Sequence, residues 1–357
     1  MRFKLPLYIL IIYITFTLGF ASSAQENEGL RIVTVQASWI PNGQFAFVCS
    51  AIVEGYYEDV GLDVRLRAGG PAISFARSST ILAQNNDIDI SVESVLTEYL
   101  EGRARAGLTN QLRVKAIGAF WQDNPLGFLI REDGPSNLED LFTGTKADGS
   151  NWVIGASPDA VMIEALAEHF GVSYSDLQIV TTGFNATPFL VGQVDALWGF
   201  WTTQAYEAFQ ADVPYRFLSL NEVPGFGQPS NIILVRENTL EMDADMLATW
   251  FEATIYGAEF VVANPQMAAE HVLDERCGGP DFDYEQELWL IEQSLPLFDL
   301  DGTQPCLGII EETLVSQYAD TYLNIVGRDY IPNIEELVDP AILQRIYGED
   351  FDETCVG

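Results

Sequence analysis

The sequence predicts an α/β chain of two lobes, each a mostly parallel sheet flanked by helices, hinged by two crossing segments. Three observations predict it. Short apolar strand patterns alternate with helical ones from Arg31 onward, which implies right-handed βαβ units. The alternation restarts at "NWVIGAS". Two extended segments, "VKAIGAFWQDNPLGFLIRED" and "YRFLSLNEVPGFGQPSNIILVREN", flank that second cycle. If both cross between lobes, the second lobe is an insertion in the first and a cleft lies between them.

The elements follow in order. "RIVTVQA" reads as a strand, "QFAFVCSAIVEGYYEDV" as a helix, "LDVRLRAG" as a strand, "AISFARSSTILAQN" as a helix and "IDISVES" as a strand. The second cycle runs "NWVIGAS", the helix "DAVMIEALAEHFG", "LQIVTTG", "ATPFLVGQV" and "DALWGF". After Asn238 the chain reads as helical and is expected to pack back on the first lobe. The expected boundaries are a signal peptide over 1–24, a first lobe over 29–119 and 222–357, and a second lobe over 120–221.

The signal peptide rests on Arg2 and Lys4 before the uncharged run Leu5 to Phe20, with small residues at Ser22 and Ala24 for cleavage before Gln25. A membrane anchor is the alternative, but the run is short against a span of about 20 residues. The chain is therefore expected to be exported and free, in the periplasm. Net charge is −35, a surface that repels nucleic acid and anionic lipid, so neither is an expected partner.

Four cysteines occur, Cys49, Cys277, Cys306 and Cys355. Cys277 and Cys306 sit in turn-like stretches where an exported chain either bridges them or leaves them as thiols. Cys49 lies in an apolar helical pattern and is expected to be a buried small residue. Neither the cysteines nor His169 and His271 have metal-ligand spacing, so no metal is expected. No Gly-x-Ser-x-Gly elbow, P-loop, His-Glu-x-x-His or dinucleotide fingerprint is present, so neither an enzyme nor a cofactor site is predicted. Glu93 with Asp123 or Asp159 can be drawn as an acid–base pair, but among 52 acids such pairs arise by chance.

Ligands of open α/β sheets gather beyond the carboxyl ends of strands, and the residues there form the candidate site. They are Trp39, Asn42 and Gln44 after the first strand, Glu93 after "DISV", and Trp121 and Asn124 after "AIGAF". In the second lobe they are Ser157 and Asp159 after "VIGAS", Phe184 and Asn185 after "IVTTG", and Trp198 and Trp201 around "DALWGF". Each has a structural alternative. The tryptophans can be core, the amides can serve turns, Ser157 and Asp159 can cap a helix, and Glu93 can lie on a solvated face. None of these stretches carries Arg or Lys, whereas an anion site usually brings a guanidinium or a helix terminus. Flat rings and amides suit a neutral or weakly cationic, planar heteroaromatic ligand.

The chain resembles the periplasmic solute-binding proteins of ABC importers in the group handling thiamine-pyrimidine precursors, riboflavin, nitrate, taurine and other sulfonates. The residues that carry the resemblance are "SWIPNGQFAFVCSAIVEGYYEDVGLDVRL", "AGGPAIS", "VKAIGAFWQDNPLGFLI" and "VDALWGFWTTQAYEA". The resemblance implies a type II periplasmic binding protein fold, hinge closure on a small ligand, and delivery by a monomer to an ABC permease. It places Trp39, Asn42 and Gln44 on the first-lobe wall of the cleft and Trp198 to Trp201 opposite. The Trp-x-Pro-Asn form, Trp39 to Asn42, looks more like the pyrimidine and riboflavin branch than the sulfonate and nitrate branch. "DISVES" lacks a Gly common in the family strand, and Phe47 and Cys49 are also departures. The enzymatic alternative, a fungal pyrimidine synthase, carries a cysteine-rich iron motif and an active-site His that this chain lacks.

Overall fold

A computed structural model describes residues 29–71, 78–106, 112–157, 161–298, 306–348, 351 and 355. The expected signal peptide, Asp159, and the first part of the helix expected at "AISFARSSTILAQN" lie outside the described residues.

Ten strands form two five-stranded sheets. The first contains β1 (Arg31–Ala37), β2 (Leu62–Arg67), β3 (Ile90–Glu93), β4 (Val114–Trp121) and β10 (Ser230–Arg236), in the order β2-β1-β3-β10-β4. The second contains β5 (Leu126–Arg131), β6 (Val153–Ala156), β7 (Gln178–Thr181), β8 (Ala196–Phe200) and β9 (Tyr215–Ser219), in the order β7-β6-β8-β5-β9. Each sheet is mixed. β1 pairs parallel with β2 and β3, and β6 with β7 and β8. The antiparallel strands are the ones beside the crossings: β10 against β3 and β4, and β5 against β8 and β9. The chain thus leaves the first sheet at Trp121, enters the second at Leu126, leaves it at Ser219 and returns at Ser230.

The strands inside the first sheet are apolar because both faces are covered. β4 is buried at every position but Lys115, and β10 at every position but Arg236. The helix expected as one piece after β1 is divided. A 3-10 turn at Gly43–Phe45 leads into Ala46–Val53, and the next helical segment, Tyr56–Asp59, starts only after Gly55 at φ +81°. That is a left-handed geometry which glycine adopts without a Cβ penalty.

Helices 244–263 and 265–272 pack on helix 46–53, as the helical reading after Asn238 requires. Helix 312–325 does more than return to the first lobe. It packs on helix 96–106 and also on helix 161–169 of the second lobe, and the Tyr318 hydroxyl meets Met162 Sδ at 3.8 Å. One apolar cluster consequently runs from β4 and β10 through β5 and into helix 161–169.

Two expectations are corrected. The disulfide joins Cys306 to Cys355, whose Cα atoms are 5.4 Å apart. Cys277 is a free thiol beside the buried Cys49, because the 274–279 turn folds against helix 46–53 and the Arg276 guanidinium reaches the Ile52 carbonyl. Trp121, expected at the cleft, is 1% exposed. It is the last residue of β4, opposite Ser230 in the ladder, and its ring meets the edge of Phe298 at 6.3 Å inside the first-lobe core.

Helix 284–294 joins the lobes on one side of the cleft. Its Glu287, 2% exposed, accepts a 2.6 Å hydrogen bond from the Gly43 N–H. Trp289 packs on Tyr206 and Phe209 of the second lobe, with ring centroids 5.4 and 6.5 Å away. Burial pushes the Glu287 carboxyl up to about 7, with the Gly43 N–H pulling the other way.

Trp121→Ala should destabilise the chain by about 3–5 kcal/mol, the usual cost of emptying a large aromatic site, as measured by denaturant unfolding. Glu287 binds a proton in the folded chain before it would in the unfolded one, so its contribution favours folding least at high pH. Folding stability should therefore fall as pH rises from the ordinary carboxyl range, 4.5, through about 7. Glu287→Gln should flatten this part of a melting-temperature profile; an unchanged slope would place the titration elsewhere.

Candidate functional site

A cavity of about 390 Å³ lies between the two sheets, at the carboxyl ends of β1, β3, β6, β7 and β8. That volume suits a small molecule. A wider hollow of about 640 Å³ lies on the first lobe among Leu240, Ile342 and Phe351. Among the described lining residues Arg345 alone is charged, and it is paired with Asp245.

The first-lobe wall begins with the turn after β1. Trp39 is half-buried, and its indole meets the edge of Phe184 from the second lobe, with centroids 5.1 Å apart at 68°. Asn42 lines the cavity while its Oδ1 accepts from the Gln44 N–H at 3.2 Å and caps the 3-10 turn. Gln44 also lines it. Its Nε2 donates to Ser94 Oγ at 2.6 Å and to Asn231 Oδ1 at 2.9 Å, and Asn231 Nδ2 returns a bond to the Gln44 carbonyl. Glu93, 1% exposed at the end of β3, accepts from the Ser78 hydroxyl and from the Ser94 N–H. The carboxylate that the sequence allowed on a solvated face therefore sits inside the cavity wall.

The second-lobe wall comes from three strand ends. Ser157 follows β6, Gly183 to Asn185 follow β7, and Trp198 to Phe200 close β8. Trp198 meets the edge of Phe128 at 5.0 Å. A Cβ at Gly199 would lie 2.6 Å from Gln204 Oε1 and would force that side chain to shift. That side chain accepts from the Phe200 N–H at 2.7 Å and donates to the Phe184 carbonyl at 3.0 Å, tying the ends of β7 and β8 together. Glu207, one turn further along helix 204–210, accepts from the Ala186 N–H at 2.9 Å. Burial raises its carboxyl above the usual range.

Seven of the expected residues besides Glu93 line this cavity: Trp39, Asn42, Gln44, Ser157, Phe184, Asn185 and Trp198. Asn124 and Trp201 do not. Asn124, 1% exposed, donates to the Ser94 carbonyl and accepts from the Leu126 N–H, so it holds the first crossing. The Trp201 N–H bonds to the Pro125 carbonyl at 3.0 Å and its ring packs on Phe217. Sequence reasoning missed Ser94, Gln204, Glu207 and Gln286. Gln204 and Glu207 belong to "GFWTTQAYEA", just past the end of β8, which was the available signal, and Phe200 fell within the Trp198 to Trp201 stretch. Gln286 had none, because it arrives from a distant helix.

No Arg, Lys or His is among the described lining residues. Among the described residues, no group of three or more His, Cys, Asp or Glu could hold a metal ion, and no helix is long and apolar enough to cross a membrane.

Residues 42–268 match the family described as NMT1/THI5 like. A formylaminopyrimidine-binding protein of Halalkalibacterium halodurans is 26% identical over 277 residues, 71% of this chain and 73% of that protein. The periplasmic aliphatic sulphonate binding protein SsuA of Escherichia coli superposes with a TM-score of 0.61 at 11% identity, over 89% of this chain and 99% of the other. The periplasmic nitrate-binding protein NrtA of Synechocystis PCC 6803 gives 0.61 at 9% identity over 91% of each chain. At such identities these two likenesses concern the fold. The chain belongs to the NMT1/THI5-like family and has the two-lobe fold of periplasmic solute-binding proteins.

Proposed function

We propose that this chain is the exported solute-binding component of an ABC importer, one that captures a small planar aminopyrimidine of the thiamine-precursor kind and passes it to a membrane permease. The observation that carries the reading is the composition of the cavity. Aromatic rings from both lobes, Trp39, Phe184, Trp198 and Phe200, surround it, together with the carboxylates Glu93 and Glu207 and no described cation. Rings offer faces for a flat heterocycle. A buried carboxylate accepts hydrogen bonds from an amino group or a protonated ring nitrogen. In this reading Glu93 orients the amino edge of the ligand, Trp39 covers its face, and Phe184 meets it when the lobes close. The kinship with a formylaminopyrimidine-binding protein points the same way.

The sulfonate or nitrate reading lacks support from the described lining, which offers an anion no guanidinium or ammonium. The enzyme reading lacks a described histidine at the cavity. His271 is buried between Ser50 and Glu54, and His169 packs on Phe170 and Phe226. Export through the N-terminal signal, a monomeric state and hinge closure complete the proposal.

A thermal-shift screen of the mature chain against formylaminopyrimidine, hydroxymethylpyrimidine, thiamine, riboflavin, taurine and nitrate tests it. Aminopyrimidines should raise the melting temperature, since a ligand at a hundred times its Kd adds about 2.7 kcal/mol. Stabilisation by taurine or nitrate alone would overturn the reading. Trp39→Ala should weaken pyrimidine binding about ten-fold or more, or about 1.4 kcal/mol, with the ligand-free melting temperature nearly unchanged. A large loss of stability in that variant would make Trp39 a core residue.

A further inference from the structure

We infer that Glu207 is the counter-ion for a positive charge on the ligand, so that the cavity selects an aminopyrimidine with a cationic side arm over a neutral one. The inference rests on the aminopyrimidine reading and narrows it to one chemical class. Glu207 lines the cavity from helix 204–210, on the lobe opposite Glu93, so the two carboxylates stand at different walls. A ligand whose ring edge is held by Glu93 therefore directs its substituent to the other side.

The surroundings of Glu207 leave its charge unbalanced. Its hydrogen bond is to the Ala186 N–H, a neutral dipole, and no described Lys, Arg or His forms an ion pair with it. A half-buried carboxylate without a cation is costly, because its hydration is lost and no opposite charge replaces it. The raised Glu207 carboxyl, with burial as the largest cause, reflects that cost. An ammonium arriving with the ligand removes the imbalance through a charge-assisted hydrogen bond. The nearby rings of Phe184 and Phe200 reinforce the preference, since aromatic faces attract cations and give an acyl group no comparable gain.

A purely structural role, holding the Ala186 N–H, is the competing account, and substitution separates the two. Glu207→Gln keeps an oxygen for that N–H and loses only the charge. The experiment is calorimetric titration of the mature wild-type chain and this variant with two probes, an aminopyrimidine bearing an aminomethyl arm, protonated at neutral pH, and its N-formyl derivative, which is neutral. The wild type should bind the aminomethyl compound about ten-fold or more tightly than the formyl compound. Glu207→Gln should reduce that ratio to within about three-fold, chiefly by weakening the aminomethyl compound, and Glu207→Asp should retain part of it. Equal or tighter wild-type binding of the formyl compound, or a ratio that survives Glu207→Gln, overturns the inference and leaves the aminopyrimidine reading standing. Failure of both compounds to bind the wild type overturns that reading and the inference together.

Discussion

Ser94 is the fixed point on which the cleft depends. It sits one residue past β3, and its carbonyl accepts from Asn124 Nδ2 at 3.0 Å and from Ser230 Oγ at 2.7 Å, one donor from each crossing segment. Its hydroxyl meets Ser38 Oγ and Gln44 Nε2, both at 2.6 Å, and its N–H donates to Ser38 Oγ at 3.1 Å. The first ligand loop, the central strand end and both crossings thus share one small buried residue. Each such bond adds only about 1 kcal/mol net, yet removing a partner strands a buried polar atom at greater cost. A network of this kind fixes positions more than it adds stability.

The consequence reaches the backbone. Asn231 holds φ +50°, a left-handed geometry that asparagine tolerates better than most residues, at the start of β10. The reciprocal bonds with Gln44 hold it there, so the residue that re-enters the first sheet is braced against the ligand loop. Among the described residues the second lobe has no equivalent centre. Gln204 and Glu207 draw the ends of β7 and β8 together from a short helix, and helix 284–294 fastens that helix to the first lobe through Trp289. The first wall is therefore the more densely hydrogen-bonded one. The second is held by contacts at its rim.

The periodicity of the chain disclosed the strands, the two cycles and the crossings, because burial on both faces writes long apolar runs. It could not separate the tryptophans. Trp39 and Trp121 both stand at a strand end in sequence, but β4 keeps its ladder through Trp121 while β1 stops at Ala37, two residues before Trp39. One residue of register sends a side chain to the opposite face. The amides failed for a different reason. Asn124 and Gln44 look alike as donors and acceptors, and only the positions of Ser94 and Asn231, far away in sequence, decide which faces a cavity. The disulfide was hidden for the same cause, since Cys355 reaches Cys306 across 49 residues and spacing alone does not reveal connectivity.

Sulfonate and nitrate binders share this architecture, so the fold leaves the ligand's charge open. That choice belongs to side chains carried past strand ends, where substitution does not disturb the sheets. Here the described positions carry Glu93 from the first lobe and Glu207 from the second, set among rings. Glu93 is held by a hydroxyl and a backbone N–H within the wall, so its direction is set before any ligand arrives. Glu207 is anchored by the loop that carries Phe184, and Phe184 meets Trp39 across the cleft. A positive group drawn to Glu207 acts on that same loop. Two residues of one turn thereby tie the Glu207 carboxylate to the Trp39–Phe184 contact between the lobes.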